Sequence, residues 1–385
     1  MSSSPFSQTA LVLQGGGALG AYQAGAYEAL AGHRCEPGWY AGISIGAINA
    51  AIMAGNEPSD RLGCLRQFWE EITSRYGFPA PRHVTELRSL FNAEVASLVA
   101  AFGVPGLFEP RIPPAIFYPH GFAEALSIYD TSSLRRTIER FVNFDRINAK
   151  ASRLSLGAVN VRNGNFIFFD NHKHTLRPEH IMASAALPPG LPPIEIEHQL
   201  YWDGGLVSNT PLTAVLDSGL GRDTLIFQVD LFSARGRVPR DLFEAEERRK
   251  DIVYSSRTRL NTDMYKETYK LRRAIGELRK LVPEDKIEES ASRAFDGLGD
   301  AHRVAIVHLI YRRKGYEGQA KDYEFSRASM LEHWQAGFDD AKAACDKAPW
   351  NEPVSDEDGI CVYDVTRQQD AAIKAADVSS GSKGG

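Results

Sequence analysis

Little in the composition points to an oxidised or metal-bound protein. The 385 residues include four cysteines, Cys35, Cys64, Cys345 and Cys361. None forms a CxxC pair, and their spacing fits no zinc template. Thiols in a reducing compartment are the simpler reading. A cation excess is also missing, since 44 basic residues stand against 49 acidic ones, a formal charge of -5. That excludes the basic footprint that nucleic acid needs and argues against a strongly polybasic membrane surface. No stretch approaches the ~20 apolar residues of a spanning helix. Met1, Ser2, Ser3, Ser4 and Pro5 carry neither the basic nor the apolar part of a secretory signal. The expected location is therefore the cytoplasm. No internal repeat stands out.

What is present is the material of a globular fold, with 43% hydrophobic and 24% charged residues. The length suffices for one large α/β domain plus an addition, or for two domains. A core of that size holds a buried site without disulfides or metal. Neither metal nor cofactor is expected.

The chain opens with a polar stretch, residues 1–8, read as disordered. Ala10, Leu11, Val12 and Leu13 then form a short apolar strand signal that stops at a glycine cluster. A helical stretch follows over 18–30, a second strand over 39–43, and an alanine-rich helix over 47–54 before Gly55. Strand, turn and helix, twice in succession, signal a doubly wound α/β fold.

Residues 77–122 differ. They hold seven prolines and an apolar helical piece over 91–102, fitting either a core excursion or a lid at a site mouth. Strand signals return at 154–161 and 166–169, with the hairpin pair Asn163-Gly164 between them. Strands are also expected at 200–202, 225–231 and 303–311, and helix at 211–220. Leu260, Met264, Leu271, Ile275, Leu278 and Val282 predict one long helix over 240–283 with a single apolar stripe. Residues 376–385 read as a flexible tail.

Three motifs carry chemistry. Gly42, Ile43, Ser44, Ile45 and Gly46 match G-x-S-x-G. In that pattern a serine sits on a sharp strand-to-helix turn, and the flanking glycines let strand and helix approach closely. The structural alternative is a serine N-cap with packing glycines.

Gly15, Gly16, Gly17 and Gly20 fit G-x-G-x-x-G after the first strand. A dinucleotide site needs an acidic residue at the end of the second strand. Here that strand ends in Ser44, and Glu36 precedes it. The same turn can instead present unpaired N–H groups to an oxyanion.

Asp203 follows a short apolar run and precedes Gly204 and Gly205, so it lies on a tight turn at a strand end. Alone, it reads as an ordinary Asp-Gly turn. Together with Ser44 and the glycine cluster, it reads as a catalytic carboxylate. None of the ten histidines sits in such a context.

These motifs, in this order, resemble the patatin-like phospholipase family. Residues 183–188, reading Ala-Ser-Ala-Ala-Leu-Pro, and the Asn209, Thr210, Pro211 triplet extend the resemblance, which covers roughly residues 10–231. It implies a three-layer α/β/α fold around a mostly parallel sheet, spanning 9–235, with 77–122 as a lid insertion. A largely helical C-terminal extension, 236–375, would pack on that core. It implies a Ser44–Asp203 dyad without histidine, and an oxyanion hole from the Gly15, Gly16 and Gly17 amides. Gly20, Gly42, Gly46, Gly204 and Gly205 support the motifs. The substrate would be a phospholipid, acylglycerol or other fatty-acyl ester, reached with transient contact to a membrane surface. No nucleic acid partner is expected, and the oligomeric state stays open.

Many members carry Arg or Lys where this chain has Leu19, which leaves the headgroup open. Acyl transfer or thioester cleavage would use the same dyad. A Ser–His–Asp esterase using His302 or His308 and a nucleotide-binding protein are the remaining alternatives.

Overall fold

The structure is a computed structural model describing residues 5–81, 84–217, 221–282, 301–352 and 357–364. A nine-stranded sheet forms its centre. The strands are β1 (Gln8–Leu13), β2 (Trp39–Gly42), β5 (Arg153–Asn160), β6 (Phe166–Asp170), β7 (Ile194–Ile196), β8 (Gln199–Asp203), β9 (Thr224–Asp230), β10 (Val304–Ile310) and β11 (Ile360–Asp364). A separate two-stranded ladder pairs β3 (Glu109–Pro110) with β4 (Tyr129–Asp130).

Six strands run parallel in the order β11-β10-β9-β1-β2-β5. The rest is antiparallel: β6 and β8 on β5, then β7 on β8. The apolar runs explain why β1 and β9 lie centrally, because parallel strands are covered on both faces. Side chains alternate along β1, so Leu11 and Leu13 enter one apolar layer and Ala10 and Val12 the other. The first layer is covered by the helices Ala21–Gly32, Ile45–Gly55, Arg61–Ile72 and Arg327–Lys347. The second is covered by the short helix Leu212–Leu216 and by Tyr265 of the helix Thr258–Leu281. This is the expected three-layer α/β/α arrangement.

Several expectations are corrected. Residues 1–8 do not all precede the fold: β1 begins at Gln8, and Phe6 packs on the core. The first four residues, and the expected tail 376–385, lie outside the described residues. The Asn163-Gly164 hairpin is present, but residues 161–165 form the connection. The Asn160 side chain accepts from the Arg162 and Asn163 N–H groups and widens the turn.

The single helix over 240–283 is two, Leu242–Tyr254 and Thr258–Leu281, because Ser255 adopts an extended conformation. The stripe that periodicity points inward faces out. Leu260, Met264, Leu271 and Leu278 are exposed, while Thr258, Thr262 and Tyr269 are buried.

The region beyond 236 is more than a helical addition. It supplies β10 and β11 to the central sheet, and its helix Arg327–Lys347 packs along Ala21–Gly32. Two glycines allow that approach. A Cβ on Gly25 would lie 1.8 Å from the Trp334 carbonyl oxygen, and one on Gly337 would lie 1.9 Å from that of Tyr22. Gly337→Ala must therefore push the two helices apart. Overpacking of this kind costs about 1–3 kcal/mol or more. Urea unfolding should show the loss, and an unchanged midpoint would mean that the helices separate freely.

Candidate functional site

Strand pairing brings Ser44 and Asp203 together. Ser155 and Leu156 of β5 pair with both β2 and β6, so these lie on opposite edges. Ala158 and Val159 pair with both β6 and β8, so β8 shares the edge of β2. Along that edge β2 ends with Gly42 opposite Leu156. From the other direction β8 ends with Asp203 opposite Ala158. The two strands meet head-on across Gly157, and each delivers its motif to the gap.

Ser44 follows β2 at φ 56°, ψ −128°, a strained conformation for a residue with a side chain. The helix Ile45–Gly55 starts immediately behind it. The flanking glycines are steric necessities: a Cβ on Gly42 would lie 2.3 Å from the Gly46 carbonyl oxygen, and one on Gly46 would lie 2.5 Å from that of Leu13. Ser44 itself is only half-buried, while its neighbours on both sides are buried.

Asp203 is buried, and its Oδ1 accepts from the Gly205 N–H at 2.7 Å. The Ser44 side chain lies by the same carboxyl and favours its charged form. Burial lifts the carboxyl to about 7, against the Gly205 N–H and the Ser44 side chain, which favour its charged form.

Residues 183–188 hold both partners. The Ser44 N–H donates to the Ser184 carbonyl at 3.0 Å, and the Asp203 N–H to the Ala186 carbonyl at 2.9 Å. The Ser184 hydroxyl donates to the Gly157 carbonyl at 2.6 Å. One short segment thus staples serine, aspartate and the strand between them.

The glycine cluster lies beside Ser44. The Gly15 N–H donates to the Asn209 carbonyl at 3.2 Å, so it is committed and not free for an oxyanion. The Gly16 and Gly17 N–H groups have no partner among the described residues. Gly17 has φ +53°, and a Cβ there would lie 2.2 Å from the Asp322 carbonyl oxygen. That same oxygen accepts the Ala18 N–H at 2.9 Å.

Two buried amides fix the turn. Gln14 donates to Thr210 Oγ1 at 2.7 Å and to the Tyr254 carbonyl at 2.9 Å, and accepts from the Leu231 and Phe232 N–H groups. Asn209 donates to the carbonyls of Gly15 and Tyr254, both at 3.0 Å.

These groups lie on a cavity of about 740 Å³. Gly15, Gly16, Gly17, Ser44, Asp203 and Gly205 line it, while Gly20, Gly42, Gly46 and Gly204 pack behind it. Most of the wall is apolar, including Ala93, Ala96 and Ala100 of the helix Thr85–Phe102, together with Leu107 and Phe108. The expected lid segment 77–122 therefore supplies a wall. Its helix is anchored by the buried Arg88, which donates to Ser329 at 2.8 Å and to Glu332 at 3.2 Å.

Leu19 is wholly buried in the core and does not line the cavity. Among the lining residues the one Lys or Arg is Lys321, which is paired with Asp251 at 2.6 Å and Glu247 at 3.6 Å.

No histidine is among the lining residues. His302 precedes β10 at the opposite end of the sheet, beside Asp223. His308 is held by Asp230 at 2.5 Å, in register with Gln228 of β9, which pairs with Val12 of β1. Glu36, the one acidic residue near a dinucleotide position, is paired with Arg61.

Sequence reasoning missed Gln14, Tyr254 and Asp322. Gln14 carried a signal, a polar residue between a buried strand and a glycine cluster. Tyr254 and Asp322 carried none, since no local motif surrounds them.

Fold and site together define a three-layer α/β/α protein with a strained serine turn facing a buried aspartate. The profile of the patatin-like phospholipase family matches residues 11–216, more than half of the chain. A second profile, described as patatin phospholipase, matches residues 252–357. The chain belongs to the patatin-like phospholipase family. The crystal structure of VipD from Legionella pneumophila is similar at 14% identity and a TM-score of 0.39, covering 88% of this chain and 66% of that one. This chain thus spans just under two thirds of that protein's length. No curated protein matches the chain.

The lifted carboxyl has a consequence for stability. Native Asp203 holds its proton up to about pH 7, whereas the unfolded residue loses it near 3.9. The native state therefore binds more protons between these values. The stability this gives is full below pH 4 and lost as pH rises through 7, an effect of order 2–4 kcal/mol. Asp203→Asn should gain stability relative to the native chain between pH 4 and pH 8. Urea titrations at both pH values would show it, and parallel behaviour of the two proteins would contradict the burial argument.

Proposed function

We propose that the protein is a lipid acyl hydrolase that cleaves fatty-acyl esters through Ser44 and Asp203. The observation that carries this reading is the placement of Ser44, on a strained strand-to-helix turn, beside the buried Asp203 carboxyl at the wall of an apolar cavity.

In this reading Ser44 Oγ attacks the ester carbonyl while Asp203 takes its proton. An ordinary aspartate, with a pKa of about 3.9, is a poor base for a serine. A carboxyl lifted to about 7 is far better matched. The Gly16 and Gly17 N–H groups face the oxygen of the tetrahedral intermediate, supported by their lack of partners. Collapse breaks the ester bond, and the departing alcohol takes the proton from Asp203. Water then attacks the acyl-serine, with Asp203 accepting its proton and passing it to Ser44 Oγ as the bond to the acyl group breaks and the fatty acid leaves. Acyl transfer shares this intermediate and differs only in the acceptor.

The cavity favours the acyl portion of a neutral ester. Its walls are apolar, and Lys321 is already paired with two carboxylates. An anionic headgroup inside the cavity would meet no unpaired cation among the lining residues. Acylglycerols, or lipids whose headgroup stays outside, fit better.

Ser44→Ala should lower p-nitrophenyl ester turnover by about four orders of magnitude or more. A fluorophosphonate should label Ser44, and a folded protein that stays unlabelled would overturn the reading. Gly17→Ala should cost about 10²–10³ in kcat by disturbing an oxyanion donor. The acid limb of kcat/KM should turn near pH 7, with activity rising as Asp203 ionises; a limb near pH 4 would mean that burial does not lift the Asp203 carboxyl.

A further inference from the structure

Residues 112–127 leave the body of the protein as a loop with a closed neck. Glu109 and Pro110 pair with Asp130 and Tyr129, and the Arg111 N–H donates to the Ile128 carbonyl at 3.2 Å. The Arg111 guanidinium donates to the Ser127 hydroxyl at 3.0 Å and to the Tyr129 carbonyl at 3.3 Å. The neck stands on the cavity rim. Ile128 and Tyr129 donate their N–H groups to Pro189 and Gly190, and all four residues line the cavity.

Above this neck the loop turns its apolar side chains outward. Ile112 is 92% exposed, Ile116 87%, Phe117 75%, Phe122 53% and Leu126 46%. Of these 16 positions only Ser127, at the neck, is buried. The segment carries one carboxylate, Glu124, one histidine, His120, and no Lys or Arg, in a chain that is 24% charged. Large apolar side chains clustered in this way mark an interaction site. An apolar crown with a single carboxylate offers a protein partner few ion pairs or hydrogen bonds. It matches the acyl region of a neutral lipid surface, where buried apolar area gives the binding. No helix among the described residues is long and apolar enough to cross a membrane, so such attachment would be peripheral.

We propose that the 112–127 loop is a lipid-surface anchor that enters a neutral interface and seats the cavity mouth on it. An acyl chain then passes from the lipid phase along Ile128 and Leu187 toward Ser44 without crossing bulk water. The anchor deepens the reading of Ser44 as a lipid acyl hydrolase and rests on it.

Sedimentation with phosphatidylcholine vesicles tests the anchor. The Ser44→Ala protein, which leaves the lipid intact, should bind them. Adding Ile116→Asp and Phe117→Asp should weaken binding by about tenfold or more, given the transfer cost of two apolar side chains. Both positions are exposed, so folding should survive. The double variant with Ser44 present should still turn over soluble p-nitrophenyl butyrate at the native rate. Binding should persist in high salt, because the crown carries no Lys or Arg to attract a lipid headgroup.

Equal vesicle binding by the double variant would overturn the proposal, as would binding abolished by salt. Light scattering that shows a dimer broken by the same variant, without vesicle binding, would assign the crown to a second copy and overturn it as well. Loop-dependent vesicle binding by a protein that turns over no ester would keep the anchor and remove the catalytic reading.

Discussion

Everything at the site depends on one shared edge of β5. The parallel strand β2 and the antiparallel strand β8 occupy successive stretches of it and end facing each other. Gly157 lies at the junction, and its neighbours tolerate nothing larger. A Cβ on Gly157 would lie 2.7 Å from Phe166 Cζ, and one on Gly204 would lie 2.7 Å from the Gly157 carbonyl oxygen. A serine and an aspartate 159 positions apart thereby become neighbours through backbone pairing. Their approach is set by the sheet, with side-chain contacts only refining it. The strain at Ser44 follows from the same geometry, since the chain must turn at once from β2 into a helix.

The region beyond residue 236 is tied to this site in two ways. It extends the sheet past β9, so the parallel core is continuous from β5 to β11. It also reaches the glycine cluster through carbonyl oxygens. Tyr254 accepts from Gln14 and Asn209, and Asp322 accepts from Ala18. Asp322 is itself held by Lys250 at 2.5 Å. These bonds satisfy buried donors that would otherwise carry a desolvation penalty. They also leave the Gly16 and Gly17 N–H groups without a partner among the described residues.

The legible parts of the fold were those with local causes. β1, β2, β9 and β10 announce themselves as short apolar runs, and the serine turn by its glycine spacing. Asp203 was legible from its place after an apolar run and before two glycines. What periodicity misjudged was the helix Thr258–Leu281, whose apolar stripe lies outside while threonines and a tyrosine face inward. A stripe marks amphipathicity but does not say which face the tertiary structure covers. Gly15 was grouped with Gly16 and Gly17 because all three share one turn. Only the three-dimensional contact with Asn209 separates them. Leu19 raised a headgroup question from sequence position alone, yet its side chain belongs to the core.

An aspartate without histidine is credible as a base only if its environment supplies what its intrinsic chemistry lacks. Solvation in water stabilises a carboxylate and makes it weak. Here the carboxyl has little solvent, and the Gly205 N–H, with the nearby Ser44 side chain, replaces it in part. The balance matters, because more donors would return the carboxyl to an acidic, unreactive state. Fewer would leave it protonated at neutral pH and unable to accept from Ser44. A value near 7 sits between these limits, where each form is populated and, in the proposed mechanism, the proton can move both ways during one turnover. In the proposed reaction the apolar cavity and the buried strand end are thus a condition for the chemistry as well as a container for the acyl chain.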